Sequence, residues 1–111
     1  MPTTLIKSRL KAFNLQQGHC VYCELPMWLD HFDTFAKKYK ITTKQAKLFQ
    51  CTAEHLIAKQ DGGKNDVSNI LAACHYCNQK RHNRKSPKDP ISYKHYVTSR
   101  LNNGRWSLGM C

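Results

Sequence analysis

Acidic side chains are scarce in this chain: 7 Asp and Glu stand against 18 Lys and Arg, a formal charge of +11 on 111 residues. That deficit excludes a charge-balanced surface and calls for a polyanionic partner. Long apolar runs are missing as well. No stretch approaches the roughly 20 residues that a bilayer-spanning helix requires. Residues 1–17 alternate charged and apolar positions and lack the unbroken apolar centre of a secretory leader. The expectation is a chain with no membrane contact, held in the reducing cytoplasm. Internal repeats and low-complexity linkers are also lacking, so residues 1–111 read as one small domain, a monomer or a homodimer.

Cysteine, by contrast, is plentiful, and four of the six residues fall into two knuckles, Cys20-x-x-Cys23 and Cys74-x-x-Cys77. In a reducing compartment paired cysteines point to metal before disulfide. Two such pairs supply the tetrahedral all-thiolate set that structural Zn2+ prefers, and neither sits at a thioredoxin-like strand-to-helix junction. A domain this small gains from such a staple, because its core is modest. Cys51 and Cys111 are left over; Cys51 reads as a buried core thiol, with a role as substitute ligand open.

The charge is unevenly spread: residues 1–50 are net +5, residues 51–79 net −1 and residues 80–111 net +7. A cation-binding pocket between phosphate-gripping flanks would be charged in this way.

Thr3 and Thr4 can cap a first helix whose apolar positions are Leu5, Ile6, Leu10 and Phe13, ending near Gly18. In residues 27–50, Trp28, Phe32, Phe35 and Tyr39 recur at helical spacing, and Thr42 or Thr43 can cap a short second helix. That stripe reads as core packing, with Trp28 left open as a base-stacking candidate. The chain then turns extended through Cys51 to Ala58, makes a turn at Gly62-Gly63 and re-enters a strand at Ile70-Leu71-Ala72-Ala73. A helix follows Cys77 until Pro87 and Pro90, and a last one covers about 91–101 before Asn103-Gly104.

Within residues 51–83, Glu54-His55, the glycine turn, Asn69 and Cys74-x-x-Cys77-Asn78 stand in one order. That order, together with Cys20 and Cys23, resembles the HNH endonucleases. The resemblance implies an α+β fold: a small ββα-metal core over 51–85 with structural zinc, flanked by N- and C-terminal helices. It makes His55 the first H, Asn69 the central N and Asn78 the last position, an H-N-N variant in which Glu54 replaces the usual aspartate.

The chemistry of the residue types agrees. A carboxylate and an amide oxygen suit Mg2+ or Mn2+, so Glu54 and Asn78 are the candidate metal ligands. His82, four residues on along one helical face, is the alternative or additional ligand. His55 is the candidate general base, and Asn69 the residue that fixes the loop and orients it. Lys80, Arg81, Arg84 and Lys85 are candidate backbone grips for DNA, taken as double-stranded. The implied function is metal-dependent hydrolysis of DNA phosphodiester bonds, leaving 5′-phosphate and 3′-hydroxyl ends. The rivals are a non-catalytic zinc-dependent DNA-binding module and an RNase.

Overall fold

The computed structural model describes residues 3–57, 61–83 and 87–104. Its centre is an antiparallel hairpin of β1 (Cys51–His55) and β2 (Ile70–Cys74), in a register that pairs Cys51 with Cys74 and Glu54 with Leu71. With the helices around it the architecture is α+β, and the ββα unit is completed by α4 (His75–His82). Among the described residues no helix is long and apolar enough to cross a membrane.

Both threonine caps form. Thr3 accepts from the Ile6 amide at the start of α1 (Thr4–Leu15), and Thr42 makes a full capping box with Gln45 at α3 (Thr43–Ala46). The face α1 buries is not the one its large apolar residues suggest. Ser8 and Ala12 are buried, while Ile6 and Leu10 are 45% and 47% exposed. Small residues win there because α1 packs closely on the hairpin: the Gln16 side chain donates to Ala72 O at 2.8 Å and accepts from Ala72 N at 2.9 Å. An amide side chain thus partners the outer edge of β2, where Ala72 O also accepts from Val21 N at 3.0 Å.

The aromatic stretch is shorter as a helix than its periodicity implies. α2 covers only Phe32–Tyr39, because Trp28 remains extended, bonded through its backbone to Phe49 and Cys51. A tertiary bridge overrides local spacing there. Trp28 also donates its indole N–H to Ala46 O at 2.7 Å and packs on Phe32, so it belongs to the core margin and not to a stacking platform.

β1 ends at His55, with Leu56 and Ile57 beyond it and Ala58 outside the described residues. α4 begins earlier than expected, at His75, since the Cys74 thiol caps it by accepting from Cys77 N; the second knuckle is therefore the first turn of the helix. α5 (Pro90–Asn102) starts on an Asp89 cap. It is pinned to the second knuckle by Tyr93, whose hydroxyl donates to Cys77 O at 3.0 Å, and to the first by Lys94, which donates to Tyr22 O at 3.2 Å.

Candidate metal centre and catalytic cleft

The two knuckles meet. The ligand atoms of Cys20, Cys23, Cys74 and Cys77 all lie within 4.8 Å of one another, and all four residues are buried. Thiolates at ~2.3 Å from a tetrahedral ion stand about 3.8 Å apart, and Cys23 and Cys74 are 3.9 Å apart. Burial works against a Cys20 thiolate, yet donors from Cys23, Cys74, Cys77 and the Cys74 amide outweigh it and hold Cys20 well below the ordinary thiol range. The bonds to Cys20 in turn push Cys74 and Cys77 up. Four crowded thiols with room for one anion among them fit a soft divalent cation, which stabilises every thiolate at once. Cys51, pushed up to about 11 by burial, stands outside this group as a core thiol. Cys111 lies outside the described residues.

Glu54 is fully buried at the centre of the second site. Its Oε1 accepts from Arg81 Nη1 at 3.0 Å and lies 3.0 Å from His82 Nε2, while its Oε2 is buried without a hydrogen-bond partner. The Tyr22 phenol nearby is pushed up by its burial and then by the Glu54 charge, so it remains a neutral group against the carboxylate. His55 faces a different way, as alternate strand residues must. It lines a cleft of about 310 Å³ together with Leu56, Asp61, Arg81 and His82. The half-exposed His82 therefore joins the buried carboxylate to the open cleft that holds His55.

Of the sequence candidates, His82 and not Asn78 is the α4 residue brought to Glu54. Asn78 uses its amide nitrogen on β1, donating to Thr52 Oγ1 at 2.9 Å and to Ala53 O at 3.3 Å. Asn69 is occupied with the loop: its side chain accepts from Ile57 N and donates to Ile57 O and Lys64 O. None of these bonds reaches His55, whose Nε2 is 2.8 Å from Asn65 Oδ1 instead.

Arg81 requires a correction. Expected as a surface grip on DNA, it is 7% exposed, paired with Glu54 and bonded through Nε to Lys88 O at 3.0 Å. A buried carboxylate needs a partner, and Arg81 is the cation within reach. Arg81→Met is expected to destabilise the fold by about 3–5 kcal/mol, the scale for stripping one member from a buried pair, as read by urea unfolding. Lys80 is exposed, with its ammonium 5.5 Å from the Tyr76 ring. Arg84 and Lys85 lie outside the described residues. Asn65 carries no periodic signal in the sequence. Arg81 does carry one, since it falls seven residues after Cys74 and three after Asn78 on a single helical face.

Glu54 Oε2 is buried without a hydrogen-bond partner and His82 Nε2 lies 3.0 Å from Oε1, so a carboxylate and an imidazole, ligand types a divalent cation accepts, stand together behind the cleft. Among the described residues a cluster of three or more metal-ligating groups occurs only at the four cysteines. Residues 37–84 match the family model described as HNH endonuclease. The match reaches back into α2 and α3 and does not include the first knuckle. Neither the curated proteins nor the solved structures contain a significant match.

Proposed function

We propose, from the match of residues 37–84 to the HNH endonuclease model, that this protein hydrolyses phosphodiester bonds in double-stranded DNA with His55 as general base. The observation that carries the reading is the arrangement of the cleft. His55 and His82 line one cavity, and His82 connects it to Glu54 behind.

Glu54 and His82 would hold one divalent cation, and an imidazole ligand suits Mn2+ at least as well as Mg2+. When bound, the cation supplies charge stabilisation for the phosphate and the leaving oxygen. The residues of the chain do the rest. His55, in its neutral form, accepts a proton from the attacking water. Arg81 pairs with Glu54, which is fully buried beside the Tyr22 phenol. Asn69 holds the loop between the strands, and Asn78 fastens α4 to β1. The four cysteines hold Zn2+, which closes the N-terminal segment onto the ββα unit. Lys80 with Arg84 and Lys85 supplies the phosphate grip, and products carry 5′-phosphate and 3′-hydroxyl ends. One such site cuts one strand at a time, so a double-strand cut needs a dimer or two visits.

The test is plasmid cleavage with Mn2+ or Mg2+, with EDTA as control and an RNA of similar length beside the DNA. Nicking of DNA alone supports the reading. Intact plasmid across metals and pH, with DNA still bound, would favour a binding module, and cleavage of RNA alone an RNase.

The ligand assignment makes a separate prediction. His82→Ala should weaken Mn2+ binding, followed by electron paramagnetic resonance, at least tenfold, since it removes one of two protein ligands. Asn78→Ala should leave that affinity unchanged and cost about 1 kcal/mol of stability, the net worth of a hydrogen bond. The reverse pattern would return the ligand role to Asn78.

A further inference from the structure

Among the described residues, the His55 ring has one side-chain hydrogen-bond partner, Asn65. Asn65 Oδ1 accepts, so in the 2.8 Å contact His55 Nε2 is the donor, and in the neutral ring the lone pair is then on Nδ1. A general base needs its lone pair on one particular nitrogen, and a partner on the other nitrogen sets that choice. Asn65 is itself held from outside the hairpin. The Ser8 hydroxyl, on the buried face of α1, donates to Asn65 O at 2.6 Å, joining residues 57 positions apart. Asn69, the other amide of the loop, has all three of its side-chain hydrogen-bonding groups engaged with the backbones of Ile57 and Lys64. Two asparagines thus divide the work: one shapes the loop and the other reaches the imidazole.

We propose that Asn65 is a positioning residue for His55, and that α1, outside the matched domain, holds it there through Ser8. The kinetic part of this inference rests on the nuclease reading; the contact itself does not. The interaction ties a helix that carries none of the candidate chemistry to the candidate base, so the register of α1 against the loop determines how firmly the imidazole is oriented. Among the described residues, the charged and titratable groups lining the cleft with His55 are Asp61, Arg81, His82 and Asp89. All four remain in place when Asn65 alone is changed.

The experiment uses the full zinc-loaded chain and reads His55 by nitrogen-15 NMR alongside plasmid nicking. The wild type should show a His55 Nε2–H proton protected from solvent exchange. Asn65→Ala should lose that protection and nick about 10- to 100-fold more slowly with unchanged DNA affinity, the scale of a misplaced catalytic group. Asn65→Asp retains the acceptor and adds a negative charge. With the acceptor kept, the Nε2–H proton should stay protected, and nicking should recover relative to Asn65→Ala. Ser8→Ala should show the same loss of protection in weaker form. An Nε2–H proton as well protected in Asn65→Ala as in the wild type, or one lost in Asn65→Asp, would overturn the proposal. If Asn65→Ala does not fold, the near-isosteric Asn65→Asp decides alone. A wild-type chain with the protected proton but no nicking upholds the contact and rejects the nuclease reading.

Discussion

His55→Ala is expected to slow plasmid nicking by about 10²- to 10⁴-fold, the range for removing a positioned general base, while retaining DNA at the same protein concentration and salt. The separation of the two effects follows from where the residue sits. His55 is at the end of β1 with its ring on the cleft wall, and its one described side-chain bond is to Asn65, so alanine removes no core packing and no ion pair. Binding comes from Lys and Arg spread over a chain of formal charge +11, and losing a neutral imidazole leaves that field intact. Gel retention and nicking assayed on one preparation make the comparison. A variant that nicks at the wild-type rate would remove His55 from the chemistry, and one that loses binding and nicking together would make it a DNA contact.

The second large effect is on folding. Cys74→Ser is expected to yield a chain without bound zinc, digested rapidly by protease and lacking a cooperative thermal transition. Cys74 ends β2 opposite Cys51, caps α4, accepts from Cys77 N and donates its own amide to the Cys20 thiol at 3.3 Å. Serine could keep the cap but not a soft ligand. Structural zinc is worth roughly 10–16 kcal/mol in peptides that fold around it, comparable with the whole stability of an ordinary domain at about 5–15 kcal/mol. Losing a quarter of the ligand set is therefore decisive in a core this small. Prolonged chelation of the wild type should reproduce the phenotype. A stable, zinc-free, nicking-competent Cys74→Ser protein would mean that these thiols hold no structural metal.

These two variants also locate the link between the metal site and the cleft. Cys77 and Asn78 are neighbours in sequence, which suggests that zinc would set a catalytic ligand directly. In the fold Asn78 anchors α4 to β1, and the connection runs along the helix instead, from Cys74 and Cys77 in the first turn to Arg81 and His82 in the last. A metal bound at the knuckle would therefore hold the end of the rod that carries the partners of Glu54.

What the sequence determined by itself were the features coded by short spacings and residue chemistry. The two C-x-x-C pairs, the threonine caps at Thr3 and Thr42, the hairpin around Gly62-Gly63 and the order Glu54-His55, Asn69, Cys74-x-x-Cys77 all depend on neighbours a few positions apart or on the order of types. What only the tertiary structure decided was which polar atoms meet across loops. Four cations follow Asn78 almost in a row, and the phase of α4 turns Arg81 alone of the described ones inward to Glu54. Two asparagines lie in one loop, and the path of its backbone gives Asn65 rather than Asn69 to His55. The Trp28 segment has helical periodicity and stays extended because Phe49 and Cys51 pair with its backbone. The physical reason is common to all three. A hydrogen bond or ion pair is made between particular atoms within about 3 Å, and the separations that produce it are set by how distant segments pack.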